Sequence, residues 1–76
     1  MTSAVYAAIN RHRVEAGLSM SAFARLIGVT FDTAFNTLTG RSHSPHDYNA
    51  EKFRRYYLAH EAEIALLIQT EKEETV

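Results

Sequence analysis

The chain has no cysteine, no tryptophan, one proline and three glycines among its 76 residues. Without cysteine neither a disulfide framework nor a thiolate metal site can form, so a core this small must rely on packing or on a partner subunit. The same absence is typical of a reducing compartment, and we expect a cytoplasmic protein. The length allows one small domain and excludes a multidomain enzyme.

Long hydrophobic runs are also missing. The longest apolar stretches are residues 4–9 and 64–68, whereas a transmembrane helix needs roughly 20 apolar residues. No basic start leads into the hydrophobic region of a signal peptide. We therefore expect a protein that is not exported and has no membrane partner.

The net charge of -1 conceals an uneven distribution along the chain. Residues 1–60 hold seven cations against four anions, a net charge of +3, whereas residues 61–76 hold one cation against five anions, a net charge of -4. A mildly basic body permits contact with nucleic acid on one face. It does not require such contact, because proteins that coat DNA non-specifically are far more cationic.

The hydrophobic pattern predicts helices throughout. Period-2 alternation and hairpin turn pairs are absent, and segments of about ten to fifteen residues lie between turn residues. These turn residues are Gly17, Gly28, Gly40 and Pro45. We expect a compact all-α domain of four or five helices over residues 1–68, followed by an acidic polar tail at 69–76.

Capping residues locate the first three helices. The first is expected to begin at Thr2 or Ser3 and to end at Gly17, and Ser19 and Thr30 are expected N-caps of the second and third. The apolar stripe of the first helix comprises Val5, Ile9, His12 and Ala16.

One long final helix is expected from residue 45, or from 49 if Asp47 or Asn49 is its cap. Apolar residues recur along it every three or four positions, as in a short heptad seam, at Ala50, Phe53, Tyr57, His60, Ile64 and Leu67. Two interpretations stay open. The seam packs on the first helix of its own chain, or it forms a homodimer interface through Phe53, Tyr56, Tyr57, His60 and Ile64.

The segment from Leu18 to Gly40 predicts two short helices joined at Gly28, which is a helix-turn-helix arrangement. The small Ala24 lets the second helix cross closely, and Gly28 provides the turn. The residues expected in the shared core are Phe23, Ile27, Val29 and Ala34.

In the stretch LSMSAFARLIGVTFDTAFNTLTG the sequence resembles the phage-repressor, Cro-like (XRE) helix-turn-helix family, over about 23 of the 76 residues. The resemblance implies a lambda-repressor-like fold and a recognition helix at 31–39 in the major groove of double-stranded DNA. It also implies a prokaryotic or phage transcriptional regulator, most often a repressor. Such proteins usually dimerise on half-sites about 34 Å apart.

The recognition helix departs from the family pattern. Thr37 stands where an aliphatic residue is usual, and Phe31 and Phe35 stand among positions that are usually polar. The family register exposes Phe31, whereas the amphipathic register buries it. Both registers leave Asp32, Thr33 and Asn36 outward.

These outward residues are the candidates for reading bases, the alternative being a polar face in water. Asn36 can pair with adenine, Thr33 can contact several bases and Asp32 can accept a hydrogen bond from cytosine N4. Ser21 is a candidate phosphate contact at a helix N-terminus, where Met20 can instead cover the core. The remaining candidates at or beyond the end of the recognition helix are Thr39, Arg41, Ser42 and His43.

The sequence predicts no metal site, no cofactor and no catalytic activity. His43 and His46 have a suitable spacing, but no cysteine or carboxylate set completes a site and Pro45 separates the pair. His12 and His60 lie on apolar stripes and are expected at the edge of the core. No nucleophile, base and acid set is recognisable.

A protein-interaction module, such as an antirepressor, antitoxin or adaptor, is the alternative function. It would bind a regulatory protein through Phe31 and Phe35. Burial of the two rings supports the DNA-binding interpretation. Exposure of both, beside few cations, supports the protein-binding one.

Overall fold

The computed structural model describes residues 3–41 and 47–74, and the side chains of 4–41 and 48–69. It contains the helices α1 (Ser3–Glu15), α2 (Met20–Ile27), α3 (Phe31–Leu38), α4 (Asp47–Ala59) and α5 (Glu61–Glu74). These described residues include no strand, and the predicted small all-α domain is confirmed. None of the five helices combines the length and the apolar character needed to cross a membrane.

Local side-chain chemistry sets the ends of α2 and α3. The Ser19 hydroxyl accepts a hydrogen bond from the Ala22 amide, and the Thr30 hydroxyl accepts one from the Thr33 amide. Both bonds satisfy amides that the first turn of a helix leaves without an internal partner. Gly28 ends α2 at φ 84°, in the left-handed region that glycine adopts without steric cost. The predicted caps and the predicted turn are therefore confirmed.

The final segment is two helices, so the prediction of one long helix is wrong. The His60 amide donates to the carbonyl oxygens of both Tyr56 and Tyr57, each at 3.2 Å, and α5 begins at the next residue. The helix α4 begins at Asp47, between the two predicted starts. Pro45, the first of these starts, lies outside the described residues. The backbone of residues 69–74, which belong to the predicted acidic tail, continues α5.

All five helices contribute to one core. The largest fully buried side chains are Phe23, Phe53, Ile9 and Ile64. Burying an apolar side chain of this size contributes roughly 1.5–3 kcal/mol. Edge-to-face contacts join Tyr6 to Phe53 and Phe23 to Tyr56, with ring centroids 5.6 and 5.0 Å apart. The helix α5 packs chiefly along α1.

This core takes up most of the residues predicted for a homodimer interface. Phe53, Tyr56 and Ile64 are buried within one chain, which corresponds to the intrachain alternative. Only Tyr57 and His60 of the predicted set remain partly exposed. The periodicity did not place Tyr56 on the seam, yet it is buried more deeply than Tyr57.

Candidate nucleic-acid interface

The helices α2 and α3 pack against each other across the turn at Gly28. From α2 the buried residues are Phe23 and Ala24, and from α3 they are Ala34, Thr37 and Leu38. Ile27 and Val29 are partly buried against the same core. Thr37 is thus a buried polar residue of α3.

The opposite face of α3 is polar. Asp32 and Thr39 are exposed, and Thr33 and Asn36 are half-buried. Residues 32 and 36 are separated by one helical turn, so their side chains lie about 5–6 Å apart along the helix. The structure therefore brings Asp32, Asn36 and Thr39 to one outward surface.

The polar side chains on this face of α3 differ in whether they already form hydrogen bonds within the protein. The Thr33 hydroxyl accepts a hydrogen bond from the Thr30 hydroxyl at 2.9 Å, and the Thr39 hydroxyl donates to the Phe35 carbonyl at 2.5 Å. Asn36 makes no side-chain hydrogen bond to another described residue. Its amide therefore keeps both its donor group and its acceptor oxygen for a ligand.

Two phenylalanines lie beside the polar face and stack on each other. The ring centroids of Phe31 and Phe35 are 5.9 Å apart and their planes differ by 13°. Phe31 is 49% exposed, as the family register predicts, and Phe35 is half-buried. The Arg41 guanidinium lies 5.2 Å from the Phe35 ring centroid, a cation–π contact. The protein-binding alternative requires both rings to be exposed, and this holds for Phe31 and in part for Phe35.

The charges around this surface are of both signs. Arg25 and Arg41 are exposed, as is Asp32, which lies in the first turn of α3 where a carboxylate also complements the helix dipole. Ser21 is exposed near the start of α2, whereas Met20 is partly buried against the core. The predicted contacts Ser42 and His43 lie outside the described residues.

Lys52 joins α4 to the helix-turn-helix segment. Its ammonium group donates to the Gly28 carbonyl oxygen at 2.7 Å and lies 4.9 Å from the Tyr48 ring centroid. A cation at this position also complements the C-terminal end of α2. The contact could not be predicted from the sequence, because 24 residues separate the two partners.

A second polar cluster joins α1, α4 and α5. The His12 Nε2 donates to a Glu63 carboxylate oxygen at 2.5 Å, and the His12 Nδ1 lies 2.6 Å from the Tyr56 hydroxyl oxygen. The hydrogen bond from His12 lowers the pKa of the Glu63 carboxyl below its ordinary value. Burial raises the pKa of the Tyr56 hydroxyl, and the nearby Glu63 charge adds to that effect.

Comparison with family models, with curated proteins and with solved structures finds no match to this chain. Function must therefore be inferred from the residues and from their geometry.

Proposed function

We propose that the chain is a sequence-specific, double-stranded-DNA-binding transcriptional regulator of the Cro-like (XRE) helix-turn-helix type, and a prokaryotic or phage repressor. The observation that carries the proposal is the capped pair of helices α2 and α3. They are joined at the left-handed Gly28, and α3 turns a polar face to the outside. A helix presented in this way fits the major groove of B-DNA.

Asn36 and Asp32 would read the bases. The Asn36 amide can form a bidentate pair with adenine, in which its NH₂ group donates to N7 and its carbonyl oxygen accepts from the N6 amino group. Asp32 can accept from cytosine N4, and it repels phosphate, which favours a base contact over a backbone contact for this residue. Thr39 lies on the same outward surface.

Neighbouring residues would position the helix on the duplex. Arg41 is exposed just beyond α3 and can neutralise a phosphate, and Ser21 lies in the first turn of α2, where backbone amides favour an anion. Phe31 is compatible with a groove position, because a phenylalanine ring can contact the methyl group of thymine.

A single helix-turn-helix unit reads only a few base pairs, so we propose that two copies bind a pseudo-palindrome with half-sites about 34 Å apart. The surface between the copies cannot be the predicted seam as a whole. Phe53, Tyr56 and Ile64 already fill the core of each chain.

The protein-interaction module is the second candidate. The stacked pair of Phe31 and Phe35 favours it, because exposed aromatic rings are typical anchors of protein interfaces. In this case the bound regulatory protein would cover Phe31, and DNA would not bind.

Selection of bound duplexes from a random pool, with sedimentation of the protein alone and on DNA, tests the proposed function. We expect enrichment of a pseudo-palindrome bound by two chains. The combined variant Asp32→Ala, Asn36→Ala and Thr39→Ala should enrich nothing, whereas Asn49→Ala in α4, a matched change outside the surface, should enrich the same motif. Failure of the unmodified chain to enrich any motif would contradict the DNA-binding proposal.

A further inference from the structure

Three side chains with metal-binding atoms meet where α1 approaches the start of α5. His12 lies on α1, His60 lies between α4 and α5, and Glu63 lies in the first turn of α5. One ligand atom from each residue lies within 4.8 Å of the other two. The Glu63 carboxylate oxygen is 2.5 Å from the His12 Nε2 and 4.0 Å from the His60 Nδ1.

The hydrogen bonding of His12 is typical of a histidine that binds a metal ion. Its ring is buried, and the Tyr56 hydroxyl oxygen lies 2.6 Å from Nδ1 and fixes the ring so that Nε2 faces Glu63. Histidine ligands almost always use their second nitrogen for an outer hydrogen bond of this kind. With a metal on Nε2, the ring proton would reside on Nδ1 and the hydroxyl oxygen would accept it in a hydrogen bond, as a hydroxyl can.

The other two residues have room to move onto an ion. The Glu63 side chain is 69% exposed and that of His60 is 39% exposed, so both can turn without disturbing the core. The His60 ring packs on His12 with centroids 4.6 Å apart, which keeps the two imidazoles together. A groove of about 520 Å³ borders all three residues and provides a path of entry and space for a water ligand.

We propose that His12, His60 and Glu63 bind one Zn²⁺ ion. Two imidazoles and one carboxylate are a ligand set that suits Zn²⁺, whereas Ca²⁺ and Mg²⁺ require oxygen ligands. The three protein ligands leave the fourth tetrahedral position to water. The ion would fasten α1 to the start of α5. The proposal is independent of DNA binding, and it replaces the sequence-based expectation that this chain has no metal site.

Calorimetric titration of the metal-free chain with ZnCl₂ tests the site, and Co²⁺ serves as a spectroscopic probe of tetrahedral geometry. We expect one ion per chain and a melting temperature that rises with Zn²⁺. Tyr56→Phe should weaken Zn²⁺ binding ~10-fold, within the range for loss of an outer hydrogen bond, and Glu63→Gln and His60→Ala should each weaken it ~100-fold or more.

The matched control is the double variant His43→Ala and His46→Ala, which removes the remaining histidines and should bind Zn²⁺ as the unmodified chain does. Circular dichroism without metal confirms that Glu63→Gln and His60→Ala stay folded, which their exposed side chains lead us to expect. The proposal is overturned by the absence of saturable binding, by unchanged affinity in both of these variants, or by loss of binding in the control.

Discussion

The hydroxyl oxygen of Tyr56 lies 2.6 Å from the Nδ1 of His12, and this hydrogen bond joins α4 to α1 inside the core. The carboxylate of Glu63 only accepts hydrogen bonds, so the His12 Nε2 donates to it, while the His12 Nδ1 forms the hydrogen bond with the Tyr56 hydroxyl. Among the described residues, every buried side-chain nitrogen or oxygen atom has such a partner.

Tyr56→Phe should lower the free energy of unfolding by about 1–3 kcal/mol, because Nδ1 of His12 would stay buried without a partner. Urea denaturation in the absence of metal measures the change. Tyr57→Phe is the control, since the Tyr57 hydroxyl takes no part in the hydrogen bond between Tyr56 and His12. Equal unfolding free energies for the two variants would show that the hydrogen bond contributes nothing.

Gly28→Ala should destabilise the chain by about 1–2 kcal/mol, the cost of the left-handed conformation for a residue with a Cβ. Steric contact is not the reason, because an added Cβ would come no closer than 3.9 Å to the Lys52 Nζ. Gly28→Asn should cost less, since asparagine tolerates this conformation better. Thermal unfolding of both variants checks this order of stabilities. An alanine variant as stable as the unmodified chain would show that the left-handed conformation at residue 28 carries no cost.

Asn36→Ala should weaken binding to the selected DNA site by roughly 1–3 kcal/mol and relax the preference at one A·T pair, because a bidentate base contact is lost. The dependence of affinity on salt should stay nearly unchanged. Fluorescence anisotropy over a range of salt concentrations measures both quantities, with Asn49→Ala as the control.

Arg41→Ala should show the opposite pattern. Loss of a phosphate contact weakens binding to selected and random DNA alike and reduces the salt slope by about one unit. If Asn36→Ala and Arg41→Ala leave DNA binding unchanged while Phe31→Ala abolishes a protein complex, the protein-interaction module becomes the supported function.

Phe23→Ala should cost about 3–5 kcal/mol of stability, because a fully buried ring leaves a cavity that the surroundings fill only in part. Phe31→Ala should cost only about 1 kcal/mol, since 49% of Phe31 is already in water. Denaturant titration of both variants makes the comparison. A large loss of stability for Phe31→Ala would mean that its ring supports the fold rather than being available for binding.

The helix ends around the turn were predictable because their causes are local. Ser19 and Thr30 bond to amides three residues away, and Gly28 ends α2 through its own backbone conformation. A short stretch of sequence contains all that these features require, so both caps and the turn can be predicted from it. The outward position of Asp32 and Asn36 followed from helical periodicity alone.

The break at His60 could not be predicted in the same way. No glycine or proline marks it, and the apolar spacing from Phe53 to Ile64 continues across it. Beyond the break, α5 packs along α1, which is a tertiary contact that the local sequence does not encode. The contact between His12 and Glu63 could not be predicted for the same reason, because 51 residues separate the two partners.

The long sequence separation of the His12 contacts has a consequence for the order of folding. The bonds to Tyr56 and Glu63 close loops of 44 and 51 residues. The caps of α2 and α3 and the bond that ends α2 at Gly28 instead join residues three or four positions apart. Closing a long loop is entropically costly, so we expect the local contacts of the turn to form early and those of His12 to form late. Loss of the Tyr56 hydroxyl should therefore accelerate unfolding and leave the refolding rate almost unchanged, as stopped-flow kinetics in urea can show.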